Sequence, residues 1–132
     1  MKDIVKNDGG NLINFLHRND GALVMPQPFE RDILLLSTRV AGTSYISGIE
    51  ELEPYLHIND RLNFFREPDN YFDEEAIIIK NTDGVKIGYV PKQDNTILAR
   101  LMDAGKLIFG KITEKEMLGA WLHISIDIYM RD

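Results

Sequence analysis

Apolar and polar residues alternate most regularly at the C-terminus. Leu122, Ile124, Ile126, Ile128 and Met130 fall on one side of an extended chain, and Trp121, His123, Ser125, Asp127 and Tyr129 on the other. A period of two marks a strand with one face in a core, here with a mixed polar and aromatic outer face. Residues 120–130 are therefore predicted to be a strand. Shorter apolar runs predict strands over Ile33 to Val40, Arg61 to Phe65, Ala76 to Lys80, Val85 to Val90 and Lys106 to Thr113. Asn81-Thr82-Asp83-Gly84 separates the third from the fourth, and Asp-Gly supplies the positive φ angles of a hairpin turn. Pro91 stops the return strand.

Two segments repeat with helical spacing instead. Ile97, Leu98, Leu101 and Met102 predict a helix near residues 94–104, with Asp94 as N-cap and Gly105 at the C′ position. Ser47 to Leu52 reads as a short helix, with Ser47 capping it, Glu50 completing a capping box and Pro54 limiting its length. Asn11 to Arg18 predicts a further short helix with Leu12, Phe15 and Leu16 on one side, before Gly21 and Met25-Pro26-Gln27-Pro28 break regular structure. Residues 1–31 are expected to be an N-terminal extension that packs on the domain or on a partner chain, and residues 32–132 the domain itself. Short strands with one longer helix predict a mainly β, α+β domain, a small barrel with antiparallel pairing.

At 132 residues and 44% apolar, the chain fits a single domain with its own core. It has no cysteine, and His17, His57 and His123 are scattered, so neither a disulfide framework nor a dedicated zinc site is expected. No segment approaches the ~18 continuous apolar residues of a membrane span, and the first residues lack the apolar stretch of a signal peptide. The expectation is a cytoplasmic protein with no membrane association and no cofactor.

The formal charge of −6 argues against nonspecific, charge-driven binding to duplex DNA. That charge is uneven. Residues 40–75 hold nine acids and two bases, whereas residues 76–115 hold seven bases and four acids. Lys80, Lys86, Lys92 and Arg100 are therefore candidates for a local positive face on an acidic body.

Catalytic signatures are absent. There is no Gly-x-Ser-x-Gly elbow, no phosphate-binding Gly-x-x-x-x-Gly-Lys-Ser/Thr loop and no Gly-x-Gly-x-x-Gly turn. The acidic cluster Asp69, Asp73, Glu74 and Glu75 lacks the spacing that surrounds a calcium ion. The chain is expected not to be an enzyme. Binding is better supported. Tyr45, Tyr71, Phe72 and Tyr89 stand in or beside turns, where rings serve as stacking platforms for bases. Asp73 reads either as a turn former that accepts backbone N–H bonds or as an acceptor for a ligand hydroxyl. Asn70 has the same two readings.

These residues follow a pattern: Val40, Gly42 and Tyr45; then Arg66, Glu67, Pro68, Asn70, Phe72, Asp73, Ala76 and Ile77; then Gly88, Tyr89, Val90 and Pro91. The pattern resembles the HIRAN domain family over about residues 32–130. The resemblance implies an OB-like β-barrel with two helices and, as in a DNA-binding member, capture of single-stranded DNA at 3′-hydroxyl ends. Carried over by position, Tyr45 stacks on a base, Phe72 lines the terminal-nucleotide pocket and Asp73 accepts the 3′-OH. Asn70 supports the loop, Tyr89 and Lys92 lie near phosphates, and Ser44 and Arg66 complete the candidate contacts. Ser44 stands where the DNA-binding relative has an arginine, and Phe72 where it has a tyrosine. The expected function is noncatalytic binding of single-stranded DNA. The alternative is a protein-interaction or self-assembling module that keeps the fold, suggested by the acidic charge, Ser44 and the apolar Phe15, Leu23, Val24, Met25 and Phe29.

Overall fold

The alternating C-terminal segment lies inside the sheet and carries much of the core. The computed structural model describes residues 31–131, so the helix expected at residues 11–18 and the extension around it lie outside the described residues. Six strands form one sheet: β1 (Asp32–Arg39), β2 (Arg61–Arg66), β3 (Ile77–Lys80), β4 (Lys86–Tyr89), β5 (Leu107–Leu118) and β6 (Trp121–Arg131). Their order is β1-β6-β5-β2-β3-β4, and every neighbouring pair is antiparallel. Two helices accompany them, α1 (Ile49–Leu52) and α2 (Lys92–Asp103), with single 3₁₀ turns at Thr43–Tyr45 and Glu53–Tyr55.

Leu122, Ile124, Ile126 and Ile128 of β6 are completely or almost completely buried, as their spacing predicts. They pack with Leu62 and Phe64 of β2, Ile77 and Ile79 of β3, Ile87 of β4, Ile108 and Ile112 of β5, and Leu98 and Ala99 of α2. Each such side chain contributes about 1.5–3 kcal/mol relative to exposure, so this shared face is what curls the sheet around itself.

The curl brings the two edges together. Just after β1, the Ala41 N–H donates to the Tyr89 carbonyl at 2.7 Å, and the Tyr89 N–H donates back to Ala41 at 2.8 Å. Tyr89 belongs to β4, the opposite edge, so this single bridge stitches a six-stranded half-barrel. The approach is so close that a Cβ on Gly88 would stand 2.4 Å from the Ala41 carbonyl oxygen and 2.5 Å from Val40 Cγ1.

Three local expectations are corrected. Ser47 does not cap α1. Gly48, at φ 79°, occupies the N-cap position and no side chain caps the helix. Nor is Asp94 the N-cap of α2, which begins at Lys92 behind Pro91. The Asp94 carboxylate instead accepts the Thr38 hydroxyl at 2.8 Å and ties the helix to β1. Finally, β5 runs to Leu118 rather than ending at Thr113. A bulge between Ile112 and Glu114 breaks its alternation, and the polar arm beyond pairs with β6 through to Leu118–Trp121. Gly105 does stand at C′, with its N–H on the Met102 carbonyl (2.9 Å) and the Lys106 N–H on Leu101 (3.0 Å).

Gly88→Ala is expected to destabilise the domain by about 1–3 kcal/mol, the usual cost of forcing atoms into a packed site. Urea denaturation should show a lower midpoint at unchanged slope.

Candidate nucleic-acid interface

The segment from Glu67 to Ala76 is a loop closed at its neck and braced from within. The Glu67 N–H donates to the Ala76 carbonyl at 3.0 Å, and the Asn70 N–H to the Glu67 carbonyl at 3.0 Å. The Asn70 side chain does most of the bracing. Its oxygen accepts the backbone N–H groups of Phe72 (2.8 Å) and Asp73 (3.0 Å), while its amide nitrogen donates to Glu67 Oε1 at 2.5 Å. The turn reading of Asn70 therefore accounts for its contacts.

The loop is also fastened to α2. Asn95 Nδ2 donates to Asp73 Oδ2 at 2.8 Å, and the Thr96 hydroxyl donates to Glu75 Oε1 at 2.8 Å. Asp73 Oδ1 accepts the Glu75 N–H at 2.9 Å. Both oxygens of Asp73 are thus held in place, each with a lone pair left for a ligand. Arg66 secures the base of the loop, donating to the Ala76 carbonyl at 3.0 Å and to both Asp103 carboxylate oxygens at 3.0 and 3.3 Å.

Asn70, Phe72, Asp73, Tyr89 and Lys92 line one cleft of about 430 Å³, together with Ala41, Ala76, Val90 and Asn95. Five of the eight residues singled out from sequence are thus brought together. Tyr45 and Ser44 are not in the cleft lining but sit exposed on the 3₁₀ turn that follows Ala41. That turn is fixed by Gly42 at φ 78° and by the buried Thr43, whose hydroxyl donates to the Leu122 carbonyl at 2.7 Å. Arg66, by contrast, is engaged in the protein itself.

Three rings of the loop and the neighbouring 3₁₀ turn face solvent, Tyr45 at 91%, Tyr71 at 91% and Phe72 at 85% exposed, which no packing role explains. Tyr71 and Phe72 meet edge to face with ring centroids 5.1 Å apart. Tyr89 differs, because its hydroxyl donates to Glu67 Oε1 at 2.8 Å and accepts from Lys86 Nζ at 2.8 Å. Its ring forms cleft wall while its polar atom braces the loop.

Electrostatics keep both acids ionised. Hydrogen bonds from Asn70 and from the Tyr89 hydroxyl hold Glu67 below its ordinary value, outweighing burial, with Lys86 adding to the effect. Burial pushes Asp73 up, but the Asn95 and Glu75 donors together with the charges of Lys92 and Arg66 overcome it, and the net direction is down. Asp73 is therefore an acceptor-only group fixed beside a cation in a ring-flanked cleft. No cluster among the described residues has the make-up of a metal site.

Sequence reasoning missed the roles of Glu67, Lys86 and Asn95. Glu67 stands in the motif with no role legible in sequence, although its spacing of three from Asn70 suits a turn bond. Asn95 left a clearer trace, as a polar residue on the same helical stripe as the buried Leu98 and Ala99.

A curled six-stranded antiparallel sheet whose edges meet beside an aromatic-rimmed cleft defines the class as a small β-barrel domain. A model of the HIRAN domain matches residues 33–131, and the chain belongs to that family. The chain is 32% identical over 77 residues to the helicase-like transcription factor of Oryctolagus cuniculus and 29% identical over 77 residues to that of Mus musculus. Each match covers 56% of this chain but only 7% of the relative. A protein from Lactobacillus plantarum has a similar structure, with TM-score 0.72, 23% identity and coverage of 79% of this chain and 99% of that one. The HIRAN domain of human HLTF superposes with TM-score 0.59 at 24% identity, covering 76% of this chain and 78% of that one. The HLTF domain in its DNA-bound conformation matches with TM-score 0.51 at 23% identity, covering 74% and 78%.

Because the folded pKa values of Glu67 and Asp73 are lowered, their stabilisation is complete above the ordinary values of 4.5 and 3.8 and is lost as pH falls through the folded ones. Asn70→Ala removes the largest cause of the Glu67 shift. The variant should be less stable at neutral pH, and its stability should fall less on acidification, as measured by urea unfolding across the pH range.

Proposed function

We propose that this chain is a noncatalytic module that binds single-stranded DNA, with preference for a free 3′-hydroxyl end. The observation that carries this reading is the placement of Asp73. Its carboxylate is fixed by Asn95 and by the Glu75 N–H in a cleft that also holds Lys92 and Phe72. A carboxylate is a poor neighbour for a continuous phosphodiester chain. Beside a strand terminus it accepts a hydrogen bond from a hydroxyl and repels a terminal phosphate. Lys92 supplies the opposite charge for the last internucleotide phosphate.

Tyr45 offers a base-stacking platform outside the cleft, and Phe72 closes over the terminal nucleotide from the loop. Asn70 and Tyr89 act by positioning, since their polar atoms are engaged by Glu67, Lys86 and the loop backbone. Ser44 supplies no cation beside Tyr45, so stacking and the end contact carry more of the affinity here. That an HLTF HIRAN domain is known in a DNA-bound conformation supports DNA as the partner. Among the described residues no helix is long and apolar enough to cross a membrane.

Fluorescence anisotropy with matched short strands ending in 3′-OH or 3′-phosphate tests the reading. The parent should bind the 3′-OH strand more tightly. Asp73→Ala and Asp73→Asn should abolish that difference, and Tyr45→Ala should weaken both strands by about 1–3 kcal/mol, the typical worth of one stacked base. Equal affinity of the parent for the two strands would refute end recognition. Failure to bind either would point to the interaction-module alternative.

A further inference from the structure

The outer face of the sheet, away from the core, places like charges directly opposite one another. Lys80 of β3 faces Lys86 of β4, and Arg61 of β2 faces Lys111 of β5. Directly opposed like charges destabilise a sheet, and this face has two such pairs on four consecutive strands of a chain whose net charge is −6. Among the described residues none of the four cations has a carboxylate ion-pair partner. Lys86 reaches Glu67 only through the Tyr89 hydroxyl. Asp127, opposite Lys111, accepts the Ser37 hydroxyl at 2.5 Å.

Each cation also lies against an aromatic ring, and among the described residues the acids placed near them are Asp127 opposite Lys111 and Glu67 within Coulombic reach of Lys86. The Arg61 guanidinium lies 4.1 Å from the Phe109 ring centroid, with its Nε on Asn63 Oδ1 at 3.2 Å, which leaves its terminal nitrogens for another acceptor. Lys80 Nζ stands 5.0 Å from the Phe65 ring, Lys86 Nζ 4.3 Å from Tyr89 and Lys111 Nζ 5.5 Å from Tyr129. A guanidinium placed over a ring keeps its terminal N–H groups available to a phosphate. The face is also continuous with the cleft. Tyr89, a cleft wall, is opposite Ile78, and Ile78 is opposite the half-exposed Phe65, so all three share this side of the sheet.

We infer that this outer face is a second binding surface, a cationic track for the phosphodiester backbone of the single strand whose end lies in the cleft. The inference shares its ligand with the proposed function but not its site, and the two fail separately. The like-charge pairs are compensated when phosphates lie between them. Neighbouring strands are about 4.8 Å apart and the pairs are offset by two residues, about 7 Å, along β2, so the two pairs are roughly 12 Å apart, a span that a single strand covers along its backbone.

Anisotropy with 3′-OH strands of about 4 and about 16 nucleotides, the range of site sizes for a barrel of this kind, tests the track on the full chain. The parent should bind the longer strand more tightly and with a steeper salt dependence. Lys80→Gln/Lys111→Gln should remove that advantage, lower the salt slope by about 0.7 per lost phosphate contact, and leave the shorter strand unaffected. Asp73→Ala should do the reverse, keeping the length dependence. Loss of length dependence in the double variant supports the track even where the 3′-OH preference fails. Equal affinity of parent and double variant for the longer strand overturns it. Ligand-free thermal unfolding completes the test, because relief of repulsion keeps Tm at or above that of the parent. A lowered Tm with equal weakening on both strands marks a structural role and also overturns the track.

Discussion

Two hydrogen bonds between Ala41 and Tyr89 join the opposite edges of the sheet, and the positions of the binding elements follow from them. Just upstream of Ala41 the buried Val40 donates its N–H to Ile124 of β6 at 2.9 Å and anchors the end of β1. Downstream of Ala41 comes the turn that displays Tyr45, and downstream of Tyr89 come Val90, Pro91 and the helix that supplies Lys92 and Asn95. Without the stitch the sheet has two open edges and the Tyr45 turn has no fixed relation to the cleft. The contact also explains why residue 88 has no side chain, since any Cβ there would displace the Ala41 carbonyl that makes the bridge.

The loop from Glu67 to Ala76 depends on the same edge in a second way. Its internal bracing runs from Asn70 through Glu67 to the Tyr89 hydroxyl, and Tyr89 is the residue that receives Ala41. Backbone closure and loop rigidity therefore share one residue. The outcome is preorganisation. Phe72 and Asp73 are held by bonds on both sides before any ligand arrives, and less conformational entropy is lost on binding than for a free ten-residue loop.

Much of this was legible in the chain. The period-two spacing of Leu122 to Ile128 gave a core strand, and Asp83-Gly84 gave the hairpin that pairs β3 with β4. The motif residues Asn70, Phe72, Asp73, Tyr89 and Lys92 do line one cleft. What could not be read depends on distant partners. The type and position of Asp94 fit a cap, but Thr38 lies 56 positions away in the chain and claims its carboxylate. The arm from Thr113 to Leu118 lost its strand signature because one bulged residue shifts the register of all that follow. Arg66 reads in sequence as a candidate nucleic-acid contact, yet its guanidinium is engaged by Asp103 at the far end of α2. The opposed lysines could not be recognised either, since sequence gives their number but not which residues face each other across strands.

The acidic charge of the chain shapes how its binding sites would work. At −6, long-range attraction does not draw a polyanion in, so affinity must come from short-range contacts that begin once a strand is already close. An acid fixed in a cleft is a filter suited to that regime: it costs little with a hydroxyl terminus and much with a phosphate. A lone end contact of this kind binds few atoms. In the proposed reading, a cationic face continuous with the cleft would supply further contacts along the same molecule, and with the strand tethered by its end each phosphate on that face would bind at a raised effective concentration. On that reading the opposed cations would cost the free protein some stability, which a backbone of the right length lying across them would restore.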